Sequence, residues 1–391
     1  MVVIVQKRLA LPAFNNKGRF LCEWNMLACL FLLHLYSYDR IKTGRSINLN
    51  GRRKVFVQLF HGIDVDGLLK IKGNRGYGIS LAVAKDDEIE TYCSGSGRYG
   101  QDFPVDPDML FQAGSVSKPM FALTLLRYAD RGLIDLDADI SGVLSDFVSK
   151  PPMTFPALLS HTAGYSVGGF RGYRANAPLL SLEDVVAGRG NSKKVVQIRP
   201  YGKQYKYSGG GITMAELAFT RLAQTSLRDA FQKEVAEPLG LTRTGYFQPL
   251  DEDLAVNAAF GGRLAYRRNE DSAHGYHYHP EHAAAGLWAT PAELTKIGIA
   301  LSRSFRNGGM LEKKTAERMA APISDGCGLC LFRNGDAAYH YGSNEGFLTF
   351  WKFSLKEDLC VAGMVNTRRG HTFKAIPHKK DRQRTTKPVL L

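Results

Sequence analysis

A serine and a lysine three positions apart are the first residues in this sequence whose types and spacing could do chemistry. Ser115 and Lys118 lie in the segment Phe-Gln-Ala-Gly-Ser-Val-Ser-Lys (111–118), where a loop is predicted to become a helix. Residues i and i+3 share one helix face, so the hydroxyl and the amine are expected to lie close together. A serine hydroxyl is a poor nucleophile until a neighbour accepts its proton, and burial lowers the pKa of a lysine enough for that task. The pair therefore predicts nucleophilic catalysis by Ser115, with Lys118 as the proton acceptor.

The residues around this pair favour catalysis over the alternative, a serine that only caps a helix. Gly114 gives the backbone freedom just before the serine, and Pro119 fits the first turn of a helix. Residues 120–131 are apolar on nearly all sides, which predicts a buried helix. A lysine at the start of a buried helix needs a reason, and the free N–H groups of the helix N-terminus can stabilise an oxyanion.

The segment 111–118, followed by Gly-Leu-Ile-Asp-Leu-Asp (132–137), resembles the serine β-lactamase and penicillin-binding-protein superfamily. The class C β-lactamase-like branch, with its esterases and D-amino-acid peptidases, is the most similar part of that superfamily. The resemblance covers residues 76–366. It implies an α/β fold of the α+β type, β-lactamase/transpeptidase-like, in which helices flank an antiparallel β-sheet. It also implies a serine hydrolase that needs no metal and no cofactor.

A second motif is Tyr207-Ser208-Gly209, which stands where the family has Tyr-x-Asn. The resemblance assigns Tyr207 a part in moving the proton of the nucleophile, whereas core packing is the alternative for an isolated tyrosine. A phenol near the ammonium of Lys118 is expected to have its pKa lowered, so that the two side chains could shuttle the proton. The family's asparagine is replaced by Gly209, which predicts a looser substrate class than β-lactams.

A third motif, His340-Tyr341-Gly342-Ser343, stands where the family has Lys-Thr-Gly and where this branch often has His-x-Gly. Gly342 would let a substrate approach the strand edge. The resemblance implies that the backbone N–H groups of Ser343 and Ser115 form the oxyanion hole. His340 would bind a substrate carboxylate or polarise Tyr207, and a purely structural histidine is the alternative.

The resemblance implies hydrolysis through an acyl-enzyme of an ester, an amide or a short D-amino-acid peptide. Two other functions remain open. One is a β-lactamase, and the other is an inactive relative that acts as a penicillin-binding-like ligand-binding module. The partner expected in each case is a small molecule.

The elements that must position these residues follow from the hydrophobic pattern. Residues 78–85 and 88–93 are predicted to form a β-hairpin, and the nucleophile helix 115–131 is predicted to end at Gly132. Strands are predicted again within 329–365, and Thr290 is predicted to cap a helix near 291–303.

The sheet is expected to come from residues 55–118 and 285–378, with a mainly helical region inserted at about 119–284. Within that insertion, His161 lies in a short helix predicted over 156–165, which closes on a glycine. The resemblance makes His161 a hydrogen-bonding scaffold residue and not the base. A further buried helix is predicted at 214–222.

The net charge of +14 is concentrated at the two ends of the chain. Residues 1–54 carry a net charge of +8 and residues 366–391 carry +7, which leaves −1 for the middle. We therefore divide the chain into a basic, poorly ordered extension or leader (1–54), a hydrolase domain (55–378) and a basic tail (379–391). No basic motif with interleaved aromatic residues and no zinc-finger spacing is present, which argues against nucleic-acid binding.

The apolar run at residues 26–36 is too short for a comfortable membrane span, so no stable span is expected. Basic residues precede it, as in the hydrophobic region of a signal peptide, which would place the protein outside the cytoplasm. The first 25 residues are long for such a leader, and no small-x-small cleavage site follows. An over-long N-terminal extension is the other interpretation.

A group of histidines and a pair of cysteines have spacings that could hold a metal ion, but we interpret neither as a metal site. Four histidines stand two or three residues apart, with one carboxylate among them, and we expect a loop at the edge of the cleft. These histidines are His274, His277, His279 and His282. Cys327 and Cys330 have Cys-x-x-Cys spacing, but no second pair completes a metal site, so buried thiols in a strand over 326–332 are expected.

Overall fold

The computed structural model describes residues 77–98, 101–147, 152–174, 177–202, 204–261 and 275–367 of the 391 in the chain. All of them fall within one unit of the chain, residues 69–369. The predictions for the extension 1–54, for its apolar run and for the tail 379–391 lie outside the described residues. The boundaries 55–378 of the hydrolase domain stay a prediction.

Strands from the two ends of the described chain combine in one antiparallel sheet. The described residues form ten strands in all: β1 (Gly78–Lys85), β2 (Glu88–Gly95), β3 (Phe111–Gln112), β4 (Tyr173–Arg174), β5 (His277–Tyr278), β6 (Trp288–Ala289), β7 (Phe332–Asn334), β8 (Ala337–Asn344), β9 (Phe347–Ser354) and β10 (Leu359–Val365). The six-stranded sheet has the order β2-β1-β10-β9-β8-β7, while β3 pairs with β6 and β4 with β5. All of these pairs are antiparallel, as expected.

All nine α-helices of the described residues lie between β2 and β7. They are α1 (Ser117–Asp130), α2 (Phe155–Leu159), α3 (Leu182–Ala187), α4 (Gly209–Ala223), α5 (Leu227–Phe231), α6 (Glu252–Ala255), α7 (His282–Ala285), α8 (Pro291–Asn307) and α9 (Lys313–Ala320). An antiparallel sheet with a mainly helical region inserted between its strands confirms the predicted fold class. Across the described ranges, no helix combines the length and the apolar character that a bilayer span requires.

Helix α8 packs on strands β1, β9 and β10 of the sheet. Its start confirms the predicted cap, because the Thr290 hydroxyl accepts a hydrogen bond from the N–H of Glu293 at 3.2 Å. Gly298 allows the helix to approach the sheet closely. A Cβ atom at Gly298 would lie only 2.3 Å from Sγ of Cys360 on β10.

Helix α1 forms the centre of the helical region. Its first ten residues are all buried, as their apolar pattern predicted. The ring of Phe219 on α4 meets those of Phe121 and Tyr128 edge-on, with centroids 5.9 Å and 5.0 Å apart. This packing holds α1, and with it the segment that carries Ser115, against α4.

Two sequence predictions are corrected here. The strand predicted over 326–332 is wrong, because β7 begins only at Phe332 and the backbone turns before it, with positive φ at Gly326 and Cys330. The nucleophile helix begins at Ser117 and not at Ser115, since residues 114–116 form a separate 3-10 turn. The predicted stop is confirmed, since Gly132 has a φ of 68° just beyond the end of α1.

Candidate active site

Ser115 lies on a short turn that two neighbouring elements hold in place. The pairing of β3 with β6 fixes the chain before it, and the N–H of Ala113 donates to the carbonyl of Leu287 at 2.9 Å. The hydroxyl of Ser117 accepts from the N–H of Leu287 at 3.0 Å and donates to the carbonyl of Gly114. Ser117 is therefore the structural serine of the motif, whereas Ser115 is partly exposed and available to a substrate.

Lys118 is buried at the start of α1, with 2% of its surface exposed. Its Nζ atom donates to Ser115 Oγ at 3.0 Å and to the carbonyl of Ala284 at 2.7 Å. Burial lowers the pKa of Lys118 to about 8, although Cys330 and Glu281 act in the opposite direction. A substantial fraction of this lysine is therefore neutral at mildly alkaline pH and can accept a proton.

Tyr207 lies two residues before the start of α4, whose first turn is capped by Ser208 through its hydrogen bond with the N–H of Gly211 at 2.8 Å. The phenol is hydrogen-bonded to the side chain of Ser115, and Nζ of Lys118 lies 5.1 Å from the ring centroid. The predicted lowering of the tyrosine pKa is wrong. Loss of solvation around the phenol raises its pKa, and the hydrogen bond with Ser115 offsets only part of that rise. Tyr207 is thus a neutral phenol.

The backbone before Ser115 runs directly against strand β8. A Cβ atom at Gly342 would lie 1.8 Å from the carbonyl oxygen of Ala113 and 3.0 Å from the nitrogen of Ser115. A Cβ atom at Gly114 would lie 2.5 Å from the nitrogen of Ser343. The two glycines therefore bring the predicted oxyanion donors, the N–H groups of Ser115 and Ser343, to adjoining stretches of backbone.

His340 is a buried imidazole next to Tyr207. Its side chain is 2% exposed, Nδ1 lies 2.7 Å from the carbonyl of Tyr341, and the ring centroids of His340 and Tyr207 are 6.5 Å apart. Burial, together with Lys118, lowers the pKa of His340 to about 3, so it is neutral. A buried neutral ring does not fit the predicted contact with a substrate carboxylate, whereas its position beside Tyr207 fits the other prediction.

His161 is a second histidine that packs against Tyr207. Its ring centroid lies 4.4 Å from that of Tyr207, and its Nδ1 accepts from the N–H of Ser208 at 3.3 Å. Burial lowers its pKa well below the usual value. It touches the start of α4, which agrees with a scaffold role.

At Gly209, a Cβ atom would meet the Phe170 ring at 3.0 Å, so this aromatic side chain lies beside the position of the family's asparagine.

The sequence analysis did not predict that the carboxyl group of Glu216 is buried in this region. Glu216, in the middle of α4, is 1% exposed, and its Oε2 accepts from the N–H of Ala283 at 2.8 Å. Ala283 precedes Ala284, whose carbonyl holds Lys118. The one available signal was an acidic residue inside a helix of mainly apolar residues.

The histidine cluster does not converge on one point in the described residues. His274 lies outside them. His277 Nδ1 lies 2.9 Å from the carbonyl of Arg171, His279 Nδ1 lies 3.0 Å from Glu281 Oε1, and the His282 ring stacks on Tyr246. Within the described ranges, no group of three or more His, Cys, Asp or Glu side chains is arranged to hold a metal ion.

Comparison with known proteins places this geometry in a family. A family model described as Beta-lactamase matches residues 69–384. Esterase EstB of Burkholderia gladioli is 29% identical over 168 residues, which is 39% of this chain and 42% of that protein. Penicillin-binding protein 4 of Amycolatopsis lactamdurans is 29% identical over 171 residues, 42% of this chain and 43% of its own length. The matched region thus spans less than half the length of both relatives.

A solved structure shows the same fold. The D-amino acid amidase of Ochrobactrum anthropi SV3 superposes with a TM-score of 0.62 over 80% of this chain and 95% of the amidase, at 21% identity. At this identity the similarity concerns the fold alone. The family match over most of the chain confirms the resemblance stated from the motifs. The chain belongs to the Beta-lactamase family.

Proposed function

We propose that this protein is a serine hydrolase that forms an acyl-enzyme on Ser115. The observation that carries the proposal is the 3.0 Å hydrogen bond between Lys118 Nζ and Ser115 Oγ, made by a lysine that burial keeps partly neutral. A neutral amine at that distance can accept the hydroxyl proton as the oxygen attacks an acyl carbon.

The first half of the reaction forms the acyl-enzyme. Ser115 Oγ attacks the substrate carbonyl carbon while Lys118 takes its proton. The carbonyl oxygen becomes an oxyanion, which the N–H groups of Ser115 and Ser343 stabilise. When the carbonyl reforms, the bond to the leaving alcohol or amine breaks. The leaving group receives the proton from Lys118 through the phenol of Tyr207, which gives up one proton and accepts another.

The second half of the reaction releases the acid. A water molecule attacks the acyl carbon, and Lys118, neutral again, accepts its proton. The ester bond to Ser115 Oγ then breaks, and the proton returns to that oxygen through Tyr207. The carboxylic acid leaves, and both Ser115 and Lys118 are restored to their starting states.

The substrate class in this proposal is an ester, an amide or a short D-amino-acid peptide, with a small ester favoured. Esterase EstB is among the relatives, and Gly209 and the neutral His340 remove two polar contacts that β-lactam enzymes of this family use. The oxyanion hole and the nucleophile act on any activated acyl group, so a simple ester needs neither contact.

The test is a panel of p-nitrophenyl esters with acyl chains of different lengths, together with D-amino-acid p-nitroanilides. We expect turnover of short-chain esters that depends on Ser115. A stoichiometric burst without further turnover would instead support the penicillin-binding-like module. A preparation that neither turns over nor becomes acylated with any of these substrates would contradict the proposal.

A further inference from the structure

The carboxyl group of Glu216 caps a helix other than its own. It belongs to α4, yet it accepts hydrogen bonds from the backbone N–H groups of Ala283, at 2.8 Å, and of His282. Both donors lie in the first turn of α7, where N–H groups have no partner within the helix. Glu281, the residue before α7, makes no capping hydrogen bond through its own side chain. Glu216 therefore supplies the cap from 67 positions away.

The other end of α7 holds Lys118. The carbonyl of Ala284 accepts from Lys118 Nζ at 2.7 Å, and the carbonyl of Ala285 accepts from the side chain of Asn344 at 3.0 Å. A four-residue helix cannot sustain itself without external contacts. The position of the Ala284 carbonyl thus depends on what fixes α7, and Glu216 is the side chain that binds its N-terminal N–H groups.

Helix α4 consequently connects both residues that move protons in the proposed reaction. Tyr207 lies two residues before the first residue of α4. Glu216, in the middle of α4, binds the N–H of Ala283, and the next residue, Ala284, provides the carbonyl that accepts from Lys118. Glu216 itself is 1% exposed, and its distance of 3.8 Å from Nδ1 of His282 is too long for a hydrogen bond. Its hydrogen bonds to α7 are therefore those to the backbone.

We propose that Glu216 is a positioning residue for Lys118. Its carboxyl group holds α7 so that the Ala284 carbonyl keeps the lysine amine within reach of Ser115 Oγ. This inference rests on the proposed function and adds to it a residue that touches neither the substrate nor the nucleophile.

Loss of the cap has consequences for both the position and the protonation of Lys118. Without Glu216, two buried N–H groups lose their acceptor, α7 relaxes and the Ala284 carbonyl moves away. The carbonyl stabilises the ammonium form, so its loss lowers the pKa of Lys118 further. The substitution replaces none of the other titratable side chains that act on or face Lys118, which are Tyr207, His161, His340, Glu281 and Cys330.

The experiment compares Glu216→Met, Glu216→Gln and a matched control in steady-state hydrolysis of p-nitrophenyl butyrate. Methionine keeps a similar volume but accepts no strong hydrogen bond, whereas glutamine keeps one oxygen for one of the two N–H groups. Glu234→Gln is the control. Glu234 is also a buried acid, 3% exposed, but it pairs with Arg127 and Arg131 near the far end of α1.

For Glu216→Met we expect kcat to fall about 10- to 100-fold with KM nearly unchanged, because a small displacement of a catalytic group costs that much. The midpoint of its pH–rate profile should move to lower pH. Glu216→Gln should show the same two changes to a smaller degree, about three- to tenfold in kcat. Glu234→Gln should lower the melting temperature and leave kcat and the midpoint unchanged.

Variants at Glu216 that lose stability but keep the wild-type kcat and pH midpoint would overturn the inference. If Glu216→Met does not fold, the profile of Glu216→Gln alone decides, and an unchanged profile has the same meaning. Ser115→Ala distinguishes a failure of the proposed function from a failure of the role of Glu216. Turnover by Ser115→Ala contradicts the proposed function, whereas an inactive Ser115→Ala beside fully active Glu216 variants contradicts the role of Glu216 alone.

Discussion

The amine of Lys118 lies 5.1 Å from the ring centroid of Tyr207, and loss of solvation moves the pKa values of the two side chains in opposite directions. The pKa of Lys118 falls to about 8, while that of Tyr207 rises. Only the lysine therefore changes its protonation state near neutral pH. In the proposed mechanism, Lys118 accordingly accepts the proton and Tyr207 transfers it through a neutral hydroxyl.

The first prediction concerns pH. In the proposed mechanism the neutral form of Lys118 is the base, so kcat/KM for p-nitrophenyl butyrate should rise with pH and reach half its maximum near the lysine pKa of about 8. Below the midpoint, the rate should fall about tenfold for each pH unit. The assay is read at the isosbestic wavelength of p-nitrophenol. A profile that is flat, or that decreases with pH, would exclude Lys118 as the base.

The second prediction separates Tyr207 from Lys118. Tyr207→Phe removes the hydroxyl that contacts Ser115, so kcat should decrease about 100- to 10,000-fold. The pH midpoint should stay close to that of the wild type, because the base is unchanged. Tyr205→Phe is the matched control, since Tyr205 meets His161 edge-on at 5.8 Å and should keep nearly full activity. Loss of the midpoint in Tyr207→Phe would mean that the tyrosine is the base.

Local motifs made part of this site predictable. Ser115 and Lys118 meet because they are three positions apart where a 3-10 turn leads directly into α1, and Thr290 caps α8 by accepting from the N–H of Glu293, three positions later. Contacts between distant segments were not predictable in this way. Glu216 meets Ala283 across 67 positions, and nothing in the spacing of the two residues indicates the contact.

The errors have physical causes of the same kind. The sequence places Tyr207 near an opposite charge, which alone would lower its pKa, but it does not show how far the phenol is removed from water. The apolar pattern of residues 326–332 is compatible with a buried strand and equally with a buried turn. Cys330 has a φ of 56°, which is unusual for a residue other than glycine, and its N–H donates to the carbonyl of the distant Leu159 at 3.0 Å.

The third prediction tests the close approach of β8 to the nucleophile turn. Gly342→Ala would place a methyl group 1.8 Å from the carbonyl oxygen of Ala113, so one backbone segment must move. We expect a loss of about 1–3 kcal/mol in the free energy of unfolding and loss of most activity. Gly142→Ala is the control, since a Cβ atom there meets nothing within 4 Å. Equal urea denaturation curves and equal kcat for the two variants would contradict the proposed oxyanion geometry.

The fourth prediction concerns substrate choice. A glycine at 209 and a neutral imidazole at His340 make fewer charge-assisted contacts than an amide and an ammonium, each worth roughly 1.5–3 kcal/mol. Losing both should cost about two to four decades of kcat/KM for a β-lactam. We therefore expect measurable hydrolysis of p-nitrophenyl butyrate and little or none of nitrocefin. A nitrocefin value equal to or above the ester value would favour the β-lactamase alternative.

The most direct test of the central claim is covalent labelling of the nucleophile. A fluorophosphonate reacts with an activated serine hydroxyl, and peptide mass spectrometry then identifies the modified residue. We expect a single label on Ser115 in the wild-type protein. We also expect no label and no ester turnover in folded Ser115→Ala. A label on a different serine, or wild-type turnover by a clean preparation of Ser115→Ala, would contradict the account.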